Sequence, residues 1–142
     1  MTEYTFMVCG LVFNSDQSKI ALIPKNRPKF LAGKMNGIGG KVEIGEGHAE
    51  SMSREFEEET GCKVPQNEWE KIGNTYGGNY TVVWYRATLP DKLFNNIHTT
   101  TDEEIHIIDC SDVLSYPLDS IARIYILASL ENADVLVDLH YD

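Results

Sequence analysis

The chain has 142 residues, a formal net charge of -10 and a sequence pI of about 4.7. Such an acidic protein repels polyanions, so polymeric nucleic acid and anionic membrane surfaces are not expected as partners. The apolar fraction of 42% and the lack of linker segments predict one folded domain over residues 1–142. No apolar run approaches the roughly 20 residues that cross a bilayer, and the N-terminal residues lack a signal-peptide pattern, so we expect a cytoplasmic protein.

The first half of the chain predicts strands followed by a glycine-rich segment. Residues 4–13 are rich in β-branched and aromatic side chains, and residues 19–25 form a second apolar run after a polar turn cluster. Two strands joined by a turn fit this pattern. Residues 26–47 contain too many glycines for a helix, and we expect a loop, a short strand and another loop there.

The second half predicts two helices and three strands. The clearest helix covers residues 47–60, with Gly61 as a C′ residue in a left-handed conformation. Residues 69–76 and 80–89 alternate as a hairpin would, and a short strand is expected at 103–109. A last helix is predicted at 120–133. The fold class is therefore α/β, an α/β/α sandwich with a mixed β-sheet between helices.

The cysteines and histidines predict no local metal site. Cys9, Cys62 and Cys110 are an odd number without C-x-x-C spacing, which indicates neither a disulfide framework nor a zinc site. We expect buried thiols. The four histidines are too far apart in sequence to form a local metal-binding pair.

The first predicted helix separates an apolar face from an acidic one. At about 100° per residue, one face carries residues suited to a core: Ala49, Met52, Ser53, Phe56 and Thr60. Glu55, Glu58 and Glu59 cluster on another, where like charges at this spacing repel. A hard divalent cation would compensate, because Mg²⁺ prefers oxygen ligands and is often shared with substrate phosphates. Taken alone, the acidic run also fits a solvated helix face.

The residues around this helix form a motif. Gly40, five residues, Glu46, seven residues and then "REFEEETGC" closely resemble the Nudix box, G-x5-E-x7-R-E-U-x-E-E-x-G-U, where U is bulky and apolar. Every charged and glycine position matches. Cys62 at the last apolar position is the one departure, and it is conservative for a packing residue.

The resemblance implies a divalent metal site. In enzymes of this kind, the glutamates of R-E-U-x-E-E hold the metal, which implies Mg²⁺, with Mn²⁺ as an alternative, at Glu55, Glu58 and Glu59. The backbone carbonyl of Gly39 is implied as a further ligand.

The same resemblance implies supporting and catalytic residues. Glu46 is implied to pair with Arg54 and orient the loop against the helix, or to lie next to the metal. A further glutamate commonly comes from a later loop, as general base or metal ligand. Glu103 in "TTTDEEIHII" is preferred for this role, with Glu104 as the alternative. The implied catalytic residues are Glu46, Arg54, Glu58, Glu59 and Glu103.

A basic segment lies between the second strand and the glycine loop. It contains Lys25, Arg27 and Lys29, and contact with substrate phosphates is one interpretation. An exposed basic loop that supports solubility is the other.

The segments outside the box are similar to the MutT-type branch that cleaves oxidised purine nucleoside triphosphates. In that branch a Phe and an Asn line the base pocket, which implies Phe30 and Asn36; Asn36 could instead brace the glycine loop. "YPLDS" resembles a second base-contacting segment and implies Tyr116 and Asp119. Leu118 replaces an acid there, so the preferred base is open.

The expected activity is Mg²⁺-dependent hydrolysis of a nucleoside triphosphate to the monophosphate and pyrophosphate. Modified triphosphates such as 8-oxo-dGTP are included. The main alternative is a linked nucleoside diphosphate, ADP-ribose or a dinucleotide polyphosphate, although Pro65 comes too early for the proline found in the sugar-linked type. A nucleotide sensor without turnover and a structural Ca²⁺ protein are further alternatives. The chain is expected to be a monomer or a homodimer.

Overall fold

The computed structural model describes residues 3–25, 33–134 and 136–140. Three helices occur within these ranges: α1 (His48–Thr60), α2 (Asp91–Phe94) and α3 (Ser120–Leu130). The strands are β1 (Thr5–Phe13), β2 (Lys19–Pro24), β3 (Met35–Asn36), β4 (Ile38–Lys41), β5 (Glu70–Tyr76), β6 (Tyr80–Thr88), β7 (His106–Asp109) and β8 (Val137–His140).

The strands form one mixed sheet. Its main order is β3-β2-β1-β6-β5-β8, with β7 beside β2 and β4 beside β1. The β1–β6 and β5–β8 pairs are parallel, and the remaining named pairs are antiparallel. One edge of β1 is shared: its first part pairs with β4 and its last residues pair with β2. The glycine-rich β4 is thereby placed next to the middle of the sheet.

The two faces of the sheet carry separate cores. Val8 and Val12 of β1 belong to a cluster with Met52 and Phe56 of α1. Leu11 alternates with them and joins a second cluster, which contains three buried residues of α3: Ala122, Tyr125 and Ile126. Alternate side chains of a strand point to opposite faces, so β1 contacts both helical layers. The predicted α/β/α sandwich is confirmed.

Helix α1 closely matches its predicted limits. Gly47 is the N-cap, and its backbone N–H donates to Oε1 of Glu50 at 3.0 Å. Gly61 has φ 76°, the left-handed conformation expected of a C′ glycine. Met52, Phe56 and Thr60 are buried as predicted.

Several elements differ from the sequence predictions. The glycine-rich segment contains two short strands, β3 and β4, instead of one, and α3 ends at Leu130. Strand β7 begins at His106, so residues 103–105 belong to the preceding loop. Helix α2 and strand β8 had no predicted counterpart, because each has only four residues and β8 is defined by its pairing with β5.

Cys9 and Cys62 are buried free thiols, as predicted, and Cys110 is half-buried.

Among the described residues, no helix is both long enough and apolar enough to cross a membrane.

Candidate active site

Arg54 joins the loop before α1 to the carboxylates of the helix. Its Nε and Nη2 donate to Oε2 and Oε1 of Glu46 at 2.6 and 3.0 Å, a two-pronged ion pair. Nη2 also donates to the carbonyl oxygen of Lys41 at 3.0 Å. Nη1 lies 3.1 Å from Glu55 Oε1 and 3.2 Å from Glu58 Oε1. The guanidinium therefore holds the loop, β4 and α1 together.

The charge state of Glu46 reflects this pairing. Hydrogen bonds from Arg54 are the main reason that the pKa of Glu46 falls from its ordinary 4.5 to about 2. The Glu43 backbone N–H, 3.1 Å from Oε1, acts in the same direction. Glu46 is thus a permanently charged partner of Arg54 near neutral pH.

Glu55 lies directly over the backbone of Gly40. A Cβ atom at position 40 would be 2.5 Å from Oε1 of Glu55, so a larger residue there would require this carboxylate to shift. Burial raises the pKa of Glu55, the Arg54 charge opposes that shift, and the Glu58 charge adds to it. The Glu55 carboxylate is half-buried between the glycine-rich strand β4 and the Arg54 guanidinium.

Glu59 contacts the loop that follows α2. The Thr101 hydroxyl donates to its Oε2 at 2.9 Å, and the Glu103 backbone N–H donates to the same hydroxyl at 3.1 Å. Burial raises the pKa of Glu59, the Thr101 hydrogen bond opposes the shift, and the Glu103 charge adds to it. Glu104 is directed elsewhere and pairs with Nε2 of His106 at 3.4 Å. Of the two loop glutamates, Glu103 is therefore the one whose backbone and charge act on Glu59 through this loop.

The glutamates described above are the candidate ligands of a metal ion. In the described ranges, no group of three or more His, Cys, Asp or Glu side chains is arranged to hold a metal ion. The Arg54 guanidinium lies against both Glu55 and Glu58 and offsets part of their negative charge. The donor chemistry itself fits Mg²⁺, since Glu55, Glu58 and Glu59 supply carboxylate oxygens, the ligand type that this ion prefers.

A cavity of about 440 Å³ adjoins this cluster. Gly39 and Gly40 line it, so the strand below Glu55 is also a cavity wall. Three predicted substrate residues, Lys25, Asn36 and Asp119, contribute to it. Sequence reasoning did not identify the other polar and aromatic wall residues: Lys34, Thr75, Tyr80, Trp84 and Ser120. Lys34 precedes β3, Thr75 lies in β5, Tyr80 and Trp84 lie in β6, and Ser120 begins α3, so these residues are distant in sequence.

The family model described as the NUDIX domain matches residues 4–128. The chain belongs to the Nudix family. Among curated proteins, none matches this sequence.

Solved Nudix structures share the fold. A MutT structure from work on Aliivibrio salmonicida and Vibrio cholerae is 25% identical with a TM-score of 0.76, covering 92% of this chain and 99% of that one. The MutT protein of Bacillus halodurans is 20% identical with a TM-score of 0.73, covering 96% and 90%. The Nudix domain of Shewanella oneidensis NrtR, solved with ADP ribose, is 19% identical with a TM-score of 0.76, covering 93% and 90%.

Asn36 of this Nudix protein braces the glycine loop and lines the cavity at once. Its Oδ1 accepts from the Gly37 backbone N–H at 2.8 Å and from Sγ of Cys9 at 3.6 Å. Burial raises the pKa of Cys9 to about 12, so the thiol keeps its proton and remains a donor. With Oδ1 occupied, the amide group that can still serve a ligand is the Nδ2 donor.

The other base-pocket predictions are placed differently. Asp119 caps α3, its Oδ2 accepting from the backbone N–H groups of Ile121 and Ala122 at 3.1 and 3.0 Å, while it also lines the cavity. Tyr116 is 39% exposed and does not contribute to the cavity wall. Arg27, Lys29 and Phe30 lie outside the described residues.

Proposed function

We propose that this Nudix protein is a Mg²⁺-dependent pyrophosphohydrolase that cleaves a nucleoside triphosphate to the monophosphate and pyrophosphate. The observation that carries the proposal is the junction at Gly40, which lines the cavity and lies under the Glu55 carboxylate. A ligand in the cavity would extend its phosphates directly toward the acidic helix. The acidic chain needs a cation to bring these two sets of negative charges together.

The metal-holding residues would be Glu55, Glu58 and Glu59 with the Gly39 carbonyl, and Mn²⁺ could replace Mg²⁺. The bound ion supplies positive charge against the triphosphate and against the charge that develops during cleavage. Arg54 pairs with Glu46 and keeps the loop and α1 together.

The reaction transfers one proton, forms one P–O bond and breaks another. Water attacks a phosphorus of the α–β bridge, its oxygen forms a new P–O bond as the bridging P–O bond breaks, and nucleoside monophosphate and pyrophosphate are released. We assign the Glu103 carboxylate as acceptor of the proton from water, because the Glu103 backbone and the Glu59 carboxylate are linked through the Thr101 hydroxyl.

The cavity supports a nucleoside at the other end. Its volume of about 440 Å³ lies in the range of small-molecule sites. Asn36 offers a donor to a base edge, and Asp119 offers acceptor oxygens where it is not capping α3. Lys25 and Lys34, which also line the cavity, are assigned to the phosphates.

Modified purine triphosphates such as 8-oxo-dGTP are the first substrates to test. The 25% identity with a MutT protein supports this class. Leu118 is buried and bridges to Met35, so it contributes no hydrogen bond to the base, and the preferred base can differ from 8-oxoguanine.

The deciding experiment is product analysis with Mg²⁺ and a nucleotide panel: 8-oxo-dGTP, ordinary dNTPs, ADP-ribose and diadenosine polyphosphates. The protein is compared with Glu59→Gln and with Glu57→Gln, a matched control because Glu57 is an exposed glutamate of the same helix outside the motif's charged positions. Monophosphate and pyrophosphate, lost only in Glu59→Gln, are expected.

Other outcomes would redirect the assignment. Cleavage restricted to ADP-ribose or dinucleotide polyphosphates would replace the triphosphatase by a hydrolase of linked diphosphates. Binding of nucleotide without any cleavage would instead indicate a sensor.

A further inference from the structure

The loop after α2 is attached to the last turn of α1 by three hydrogen bonds. The His98 backbone N–H donates to the Thr60 carbonyl oxygen at 3.2 Å, and the Thr100 hydroxyl donates to the Glu58 carbonyl oxygen. The Thr101 hydroxyl donates to the Glu59 carboxylate at 2.9 Å. The first two bonds satisfy backbone carbonyls at a helix end, where no further helical N–H is available. The third reaches a side chain of the Nudix box.

The hydroxyl of Thr101, unlike that of Thr100, links two glutamates. It donates to Glu59 Oε2 and accepts the Glu103 backbone N–H at 3.1 Å, so one oxygen links the helix carboxylate to the loop glutamate. A hydroxyl can donate one hydrogen bond and accept others, and both capacities are used here.

The Thr101 hydroxyl opposes the repulsion between the two carboxylates of Glu59 and Glu103. Glu59 and Glu103 both carry carboxylates, and like charges repel one another. Both side chains are partly open to solvent and have rotamer freedom with which to separate. The Thr101 hydroxyl is hydrogen-bonded to both residues. It therefore fixes the position of the Glu59 carboxylate relative to the Glu103 backbone.

We propose that Thr101 is a positioning residue of the active site, holding the Glu59 carboxylate toward the metal position and the Glu103 backbone next to it. This inference rests on the proposed function. It extends the site beyond the charged positions of the Nudix box to a neutral residue about 40 positions further along the chain. Partners of this kind, one step outside the ligands, typically change metal affinity or activity by about 10–100-fold when removed.

The test compares three variants in the full chain. Thr101→Val removes the hydroxyl and preserves the shape, Thr101→Ser restores the hydroxyl, and Thr100→Val removes a neighbouring hydroxyl that bonds only the Glu58 backbone. The readouts are Mn²⁺ affinity by electron paramagnetic resonance, and kcat and KM for the nucleotide of the panel that the wild type cleaves fastest. Thermal unfolding of each variant checks that the fold is retained.

Thr101→Val is expected to weaken Mn²⁺ binding and to lower kcat by about tenfold or more, with little change in KM. Thr101→Ser should stay within about threefold of the wild type in both readouts, since it restores the hydroxyl. Thr100→Val should keep its Mn²⁺ affinity.

Three results would overturn the proposal: a Thr101→Val protein that matches the wild type, a Thr101→Ser protein as impaired as Thr101→Val, or equal losses in Thr100→Val. If the wild type binds Mn²⁺ but cleaves no nucleotide, the proposed function fails and the Mn²⁺ affinities alone decide the role of Thr101. A wild type that neither binds Mn²⁺ nor cleaves nucleotides would refute both.

Discussion

The Glu55 carboxylate rests on the backbone of Gly40, with no room for a methyl group between them. This relationship joins the cavity wall to the acidic helix, because Gly40 lines the cavity and lies next to Glu55 of α1. A glycine required here for close approach explains in physical terms why the motif begins with that residue.

Gly40→Ala should displace the Glu55 side chain, since the new Cβ would lie 2.5 Å from its Oε1. We expect kcat to fall by about tenfold or more, because small displacements of catalytic groups have large kinetic effects. Gly78→Ala is the matched control, since a Cβ at position 78 has no atom within 4 Å among the described residues. Equal activities of the two variants would show that the Gly40 contact is not required.

Glu46→Gln should destabilise the fold at neutral pH and lose that effect in acid. A carboxylate with a lowered folded-state pKa stabilises the folded protein above its ordinary pKa of 4.5, and this stabilisation is lost as the pH falls toward about 2. Urea unfolding of both proteins between pH 7 and pH 2 measures the difference in unfolding free energy. The difference should shrink within that window, and a constant difference would argue against charged pairing with Arg54.

Mg²⁺ should raise the thermal unfolding temperature of the wild type, because an ion that binds only the folded state stabilises it by mass action. At a concentration about 100 times the dissociation constant, the gain is about 2.7 kcal/mol. The gain should be reduced in Glu55→Gln and preserved in Glu57→Gln, and chelation should reverse it. An equal gain in both variants would place the ion elsewhere.

Asn36→Leu should impair recognition at the nucleoside end while leaving metal binding intact. The substitution removes the Nδ2 donor and the brace that Oδ1 provides to the Gly37 N–H. Loss of a donor to a base edge lowers kcat/KM by a factor that depends on the base, so the ranking of nucleotides should change. Unchanged ranking with a uniform loss of activity would indicate that Asn36 only braces the loop.

The sequence alone determined the elements whose causes are local. Helix α1 could be placed nearly to the residue because its core face, its acidic spacing and Gly61 all lie within one continuous segment. The pairing of Glu46 with Arg54 followed from the resemblance to the Nudix box, and the structure contains that ion pair. The family was likewise recognisable from residues 40–62 and is shown by the match over residues 4–128.

The tertiary structure decided how distant segments meet. Only the folded chain placed Lys34, Trp84 and Asp119 around one cavity, because these positions are brought together by sheet pairing and by α3. It also paired Glu104 with His106, and it brought Thr101 against a carboxylate of α1 and against the Glu103 backbone. Such contacts depend on the path of the backbone between segments, which local spacing and residue type do not specify.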